Sequence, residues 1–335
     1  MRDNILDRCK LCPYIYRMKT IKKEFDADDL NLITLAQEYQ DEDKARSLFE
    51  SWRWPHGPVC PHCKFTEVYK LTSKPDSKNK MRPGLYCCAA CRKTFTATVG
   101  TVFEASHIPI SKWLMAIFIL CSSKKSISAN QLHRMLKVTY KTAWFMAHRI
   151  RFAMGDDSSD GQKLNGVVEV DETFIGGKGQ RRTISDRHTP VMALVEQGGK
   201  MKTRVVSNVT AKNLGQVMNE HVSKEAVICT DEHGAYRQAA KPFKTHHSVN
   251  HSKHEYSVLK PDGVTASTNH CESFFSLFKR GVYGSWHCIS REHLPKYANE
   301  FEYRWNTRKE TDGQRMVNFI PMIEGKRLMY RQPAN

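Results

Sequence analysis

The spacing of apolar positions changes character three times along the chain. Between residues 28 and 52, DDLNLITLAQEYQ and DEDKARSLFESW place apolar residues at helical intervals, predicting a polar, helical N-terminal region over 1–53. Over 54–105 that period is lost, and WPHGPVCPHCKF and YCCAACRKTFTATVG flank a loop-like segment, LTSKPDSKNKMRPG. Helical spacing returns over 106–154. SKWLMAIFILCSS is one predicted helix, and SANQLHRMLKV and YKTAWFMAHRIRFAM are two more parted by a short turn. GDDSSDGQKLNG, at 155–166, has the composition of a linker. Beyond it the pattern turns β-rich. VVEVDETFI, TPVMALVEQ and KTRVVSNVT read as consecutive strands, interrupted by the turn formers GGKGQRR and GGK. AKNLGQVMNEHVSKE then reads as a helix, AVICTD as a fourth strand and THHSVNH as a fifth. NHCESFFSLFKRG and REHLPKYANEFEYRWNTRK close the pattern as helices, ahead of a tail at 311–335.

The reading is an α+β multidomain chain whose segment 167–310 has the element order of an RNase H-like α/β domain: three strands, a helix, a strand, then a mixed end. Composition narrows the partner. Lysine and arginine total 52 against 35 acidic residues, a formal charge of +17, which suits a polyanion. No apolar run is long enough to span a membrane; WLMAIFILC (113–121) reads as a buried helix. The start of the chain, MRDNILDRCKLC, has no signal-peptide core, so the 11 cysteines are expected to be reduced.

Paired cysteines at metal spacing follow from that. Cys60-Pro-His-Cys63 and Cys88-Ala-Ala-Cys91 supply two thiolate knuckles, enough to close a tetrahedral structural zinc site. Cys87 is an alternative to Cys88, and His62 a further one, but Cys88 alone keeps the two-residue spacing to Cys91. Cys9 and Cys12 form an isolated CxxC with no second pair nearby. In ISANQLHRMLKVTYKTAWFMAHRIR, Leu132, Leu136, Val138, Ala143, Trp144 and Ala147 are placed to share a core. A helix-turn-helix there would turn Thr139, Lys141, Thr142, His148, Arg149 and Arg151 toward a DNA groove or its phosphates.

Three acidic residues carry the candidate chemistry. Asp171 lies in the strand VVEVDETFI, where alternation puts it on one face with Glu169. Asp231 ends AVICTD, where a buried strand emerges, and ligand sites often lie at such strand ends. Glu272 opens the helix NHCESFFSLFKRG, with Lys279 two turns on along the same face. Asn269 and Glu272 also have the spacing of a capping box. Carboxylate oxygens are the ligands of hard divalent cations, and two such ions roughly 3.5–4 Å apart serve phosphoryl transfer.

The motifs RWPHGPVCPHC, GTVFEASHIPISKWL, YKTAWFMAHRIR, VEVDETFIGG, TDEHGAY and STNHCESFFSLFKRGVYGSWH occur in this order. Over about residues 40–310 the chain resembles an insertion-sequence DDE transposase of the group related to eukaryotic Merlin elements. The resemblance implies a zinc ribbon over 54–105, a DNA-binding helix-turn-helix over 106–154 and a catalytic domain over 167–310. It implies one structural Zn2+ on Cys60, Cys63, Cys88 and Cys91, and two Mg2+ or Mn2+ ions on Asp171, Asp231 and Glu272, with Lys279 as the accompanying lysine. Asn269 is the alternative third ligand, since some branches of the group use asparagine. The expected partner is double-stranded DNA, both element ends and target, contacted by Lys279, Arg280 and the basic residues of YRWNTRK. Pairing two ends requires a homodimer or larger oligomer. The expected location is the cytoplasm and nucleoid of a bacterium or the nucleus of a eukaryote. A DNA-binding regulator without transposition, and an RNase H-like nuclease, are the alternative activities.

Overall fold

The computed structural model describes residues 27–73, 80–155, 163–176, 188–250 and 255–329. Cys9 and Cys12, the first half of the helical N-terminal region, the middle of the loop LTSKPDSKNKMRPG, most of the linker, the turn GGKGQRR beyond its first glycine and the last six residues of the tail lie outside them. The chain divides into two compact units, residues 1–119 with 311–335, and residues 120–310.

In the first unit, α1 (Leu32–Glu38) and α2 (Glu42–Arg53) each begin at a side-chain cap. Asn31 Oδ1 accepts from the amides of Ile33 and Thr34, and Asp41 Oδ1 from those of Asp43 and Lys44, satisfying donors that a helix start leaves open. Three short strands, β1 (Val68–Leu71), β2 (Leu85–Cys88) and β3 (Thr94–Phe95), form an antiparallel sheet in the order β1-β2-β3. Its core is small: Cys60, Tyr86, Cys88 and Phe95, with Trp54 against them. The apolar run at 113–121 lies, as expected, in a buried helix, α3 (Ile110–Ser122), which crosses the boundary between the units.

The second unit begins with α4 (Ala129–Leu136) and α5 (Tyr140–Met154), capped by Ser128 and Thr139 and joined through Lys137 in the left-handed conformation (φ 49°). The sheet follows as β4 (Val167–Gly176), β5 (His188–Glu196) and β6 (Met201–Val205), then α6 (Ala211–His221), β7 (Val227–Thr230), α7 (Gly234–Ala239) and β8 (Thr245–Ser248). Its strand order is β6-β5-β4-β7-β8; β5 is antiparallel to both β6 and β4, and β7 and β8 run parallel to β4. This is the sheet of the RNase H-like fold that the element order announced. A hairpin of β9 (Ser257–Leu259) and β10 (Thr265–Ser267) leads into α8 (Asn269–Gly281). A π-helical turn (Val282–Trp286) and α9 (Leu294–Asn306) complete the unit. In the expected C-terminal tail, α10 (Asp312–Phe319) forms behind a Thr311–Gln314 capping box and belongs to the first unit, buried there by Met316 and Phe319.

Both faces of the five-stranded sheet are covered, which is why β5 reads as a near-continuous apolar run. Val168, Val170, Met192, Leu194 and Ile228 pack with Leu214 and Met218 of α6 and Tyr236 of α7. Val191, Ala193, Val195 and Ile175 pack with Phe274, Phe275 and Phe278 of α8 and Phe301 of α9. Alternation along β4 therefore sends Glu169, Asp171 and Thr173 to the face that α8 covers.

α9 packs on both β6 and α5 and carries buried charge to each. Glu300 is fully buried and pairs with Arg151 of α5 at 2.6 Å and with Arg304. Glu302 accepts from the Thr203 amide (2.7 Å) and hydroxyl (2.9 Å). Beside this network the His148 imidazole is buried between Trp144, His293 and Tyr297. Burial, then the charges of Arg151, His293 and Lys296, lower its pKa from 6.5 to about 2. The unfolded chain therefore binds a proton below pH 6.5 that the folded chain refuses, so His148 makes stability fall as pH drops from 6.5 toward 2. The slope from this one group reaches at most about 1.4 kcal/mol per pH unit. Urea unfolding followed by tryptophan fluorescence at pH 7 and pH 5 checks this. The loss of midpoint on acidification is expected to be smaller in His148→Phe than in wild type, and equal losses would contradict it.

Candidate active site and metal centre

Three separate segments deliver carboxylates to one place. Asp171 stands on β4, facing α8. Asp231 follows β7 directly, and the parallel register that pairs Glu169 with Cys229 carries Asp231 to the level of Asp171. Glu272 lies in the first turn of α8. That helix is held to the sheet by Cys271, Phe274, Phe275, Phe278 and Val282, a stripe at i, i+3, i+4, i+7 and i+11, which leaves Glu272 exposed.

The electrostatics of Asp171 report this convergence. Burial first, then the negative charges of Asp231, Glu172 and Glu272, raise its pKa to about 7, against the Glu172 amide that donates to Asp171 Oδ1 at 2.8 Å. Asp231 Oδ1 accepts from the His233 amide at 3.0 Å. On the opposite side of β4 the Tyr236 hydroxyl donates to Glu172, whose pKa burial also raises. The three carboxylates do not close on a single point: among the described residues, the cysteine quartet is the one group of potential ligands lying mutually within 4.8 Å. A wider cluster of mutually repelling carboxylates, with Asp171 half-buried, fits hard divalent cations, which are oxygen-ligated and would supply positive charge.

Lys279 is half-buried two turns beyond Glu272, and Arg280 is exposed beside it. Asn269 is exposed as the first residue of α8, with Thr268 at the N-cap, so the capping box suggested for Asn269 and Glu272 is not what starts this helix.

The quartet is the one the spacing singles out. Cys60 and Cys91 Sγ lie 3.7 Å apart, and Cys63 and Cys88 Sγ 3.5 Å. Each CxxC is followed by a residue at positive φ, Lys64 (62°) and Arg92 (59°), whose amide donates back to the carbonyl of the first cysteine of its pair. Two like knuckles thus face each other, a donor set suited to tetrahedral zinc. Cys87 and His62 lie outside the group; the Cys87 thiol faces the Cys88 and Arg92 carbonyls instead.

The helix-turn-helix positions separate. Thr139 and Lys141 are exposed and Thr142 is half-buried at the start of α5, although Thr139 also caps the helix. His148, Arg149 and Arg151 are buried. Arg151 turns inward because Glu300 needs a cation, and the Arg149 guanidinium lies over Phe145. Glu169 is also buried, although strand alternation alone allowed a solvated acidic face. Sequence reading did not assign Glu172 or Tyr236 to the site; the only signal was their adjacency to Asp171 and Asp231.

Residues 163–306 match the ISXO2-like transposase domain, and residues 40–94 match the transposase zinc-ribbon domain. The chain carries a transposase domain and a transposase zinc ribbon. The first match contains Asp171, Asp231 and Glu272, and the second all four cysteines of the quartet. The chain is also 26% identical over 282 residues to an uncharacterized protein in transposable element ISH50 of Halobacterium salinarum, an alignment covering 78% of this chain and 90% of that protein. Among the described residues, no helix is long and apolar enough to cross a membrane.

The zinc ribbon has a direct assay. Purified protein is expected to release one zinc per chain to a chromogenic chelator after thiol modification. Cys63→Ser and Cys88→Ser are expected to carry almost none, whereas Cys87→Ser keeps it. Zinc lost with Cys87 and retained without Cys88 would move the fourth ligand. Because apparent zinc binding in such modules contributes about 10–16 kcal/mol, the two depleted variants should also lose the packing of Trp54 on Tyr86 and Phe95.

Proposed function

We propose that the protein is a DDE transposase that binds the ends of a mobile DNA element, cleaves there, and joins the resulting 3′-OH to target DNA. The observation that carries this reading is the shared electrostatic environment of Asp171, Asp231 and Glu272, drawn from three distant segments inside an ISXO2-like domain. Kinship with eukaryotic Merlin elements, suggested by the motifs, belongs to the same reading.

Asp171, Asp231 and Glu272 are the residues that would hold two Mg2+ or Mn2+ ions; Asn269 remains the alternative to Glu272. When bound, such ions activate the attacking oxygen and stabilise charge on the transferred phosphate and the leaving oxygen. The chain's own residues do the rest. Lys279 and Arg280 offer cations to phosphate oxygens beside Glu272. Thr139, Lys141 and Thr142, at the start of α5, would meet base edges if α5 serves as the recognition helix. Cys60, Cys63, Cys88 and Cys91 hold the ribbon that would share in gripping the element end.

In the first reaction, water attacks the phosphodiester at the element end and the P–O3′ bond breaks, leaving a 3′-OH and a 5′-phosphate. In the second, that 3′-OH attacks a target phosphodiester in line, and the target strand's own 3′-OH departs. Each bond broken is matched by one formed, so rate comes from positioning and charge stabilisation. Joining two ends calls for at least two copies of the chain, working where the genome lies, in the nucleoid or the nucleus. With a charge of +17, DNA affinity should fall steeply with salt.

The test is strand transfer by purified protein with Mg2+ or Mn2+ on a labelled duplex carrying the end of the element that encodes it. Wild type is expected to give cleaved and joined products, and Asp171→Ala, Asp231→Ala and Glu272→Gln neither, a loss of at least about a hundredfold. Activity surviving Glu272→Gln but not Asn269→Ala moves the third ligand to Asn269. Metal-dependent cutting without joining overturns the transposase in favour of a nuclease, and tight end binding without cutting favours a regulator.

A further inference from the structure

Glu169 has no part in the reading above, yet it is completely buried two residues before Asp171 on the same face of β4. A carboxylate is costly to bury unless its oxygens are hydrogen-bonded, and these are. Oε1 accepts from the Ser267 hydroxyl at 2.5 Å and from Gln197 Nε2 at 3.1 Å, and lies 2.9 Å from His270 Nδ1. Oε2 accepts from the His270 backbone amide at 2.8 Å.

Those partners are not scattered. Ser267 ends β10, one residue before the N-cap of α8, and His270 lies in the first turn of that helix. Gln197 follows β5 and also donates to the Thr265 carbonyl of β10 at 3.2 Å. The N-cap residue Thr268 makes no side-chain cap bond. Glu169 supplies that cap from a strand 101 residues away, its carboxylate also opposing the positive end of the helix dipole. The same group therefore joins β4, β10 and the start of α8.

The apolar stripe of α8 explains which face meets the sheet, but apolar contact is non-directional and tolerates sliding along the helix axis. Hydrogen bonds are directional and are lost within a few tenths of an ångström. We infer that Glu169 is a positioning residue: by gripping the first turn of α8 it sets the register of Glu272 against Asp171, and hence the shape of the proposed cation site. This rests on the reading of Asp171, Asp231 and Glu272 given above.

The experiment uses the full-length zinc-loaded protein, with Mn2+ affinity read from the electron paramagnetic resonance of free Mn2+. Single-turnover cleavage is measured at saturating element-end DNA, and the dissociation constant for that DNA is measured separately. Glu169→Asp keeps the charge but withdraws it by about 1.5 Å, one methylene; Glu169→Gln keeps the length but loses acceptor capacity. Both are expected to weaken Asp171-dependent Mn2+ binding and to slow cleavage by about 10–100-fold, the usual cost of losing an outer partner of a metal site, with DNA affinity within about twofold of wild type. Wild-type binding and cleavage by Glu169→Asp would overturn the inference while leaving the site intact. If wild type shows neither Asp171-dependent Mn2+ binding nor cleavage, the site itself fails and the inference with it. Should Glu169→Asp not fold, Ser267→Ala removes one bond to Glu169 and no charge. It is expected to weaken Mn2+ binding several-fold, and no change in it would equally overturn the inference.

Discussion

The docking of α8 onto the β4–β5 face is the contact on which the rest of the transposase domain depends. Asp171 lies on β4 and Asp231 directly after β7, and the parallel pairing of those two strands brings them level. Glu272 has no such guarantee and comes within electrostatic range of Asp171 because Cys271, Phe274, Phe275, Phe278 and Val282 pack with Val191, Ala193 and Val195. Burying that stripe removes several large side chains from water, at roughly 1.5–3 kcal/mol each. α9 then closes over α8, and at Gly281 the approach is so near that a Cβ would lie 2.7 Å from the Phe301 ring. A side chain there would have to move the ring or the helix, and Glu272 lies on that helix.

The apolar packing coexists with charge that folding alone does not favour. Asp171 is half-buried beside other carboxylates, and desolvation with their charges raises its pKa to about 7, an arrangement that disfavours its ionised form in the absence of a cation. Such concentrated repulsion is characteristic of sites whose charge is completed by a ligand. Two fully buried acids of the unit, Glu300 and Glu302, have cations beside them. Glu300 is held by Arg151 and Arg304, and Glu302 by the Thr203 amide and hydroxyl with Arg204 and Lys202 nearby. Removing one partner of such a pair typically costs about 3–5 kcal/mol. The contrast separates acids paired within the fold from the acids proposed to hold cations.

Much of this was legible in the sequence because the signals were local. Period-two and period-3.6 runs located the strands and helices of the transposase domain within a few residues, and the two-residue spacing within each cysteine pair chose Cys88 over Cys87. What escaped depended on tertiary context. Arg149, Arg151 and His148 look like the exposed end of a recognition helix, and only the packing of α9 on α5 turns them inward. Glu169 looks like one of a row of surface acids until β10 and α8 cover it. The hairpin β9–β10 and helix α10 are short, yet the Lys-Pro-Asp-Gly turn at 260–263 and the Thr311–Gln314 capping box were readable signals. That α10 belongs with the first unit could not be read from any local pattern.

The most direct test of the central claim, that β4, the end of β7 and the start of α8 share one cation site, is localised hydroxyl-radical cleavage of the protein with Fe2+ in place of Mg2+. Fe2+ with ascorbate and peroxide cuts backbone close to the bound ion, and fragment masses locate the cuts. The account expects cuts clustered near Asp171, Asp231 and Glu272, suppressed by excess Mg2+ and absent in Asp171→Ala. Cleavage confined to other segments, or cuts near only one of the three that Mg2+ does not suppress, would contradict it.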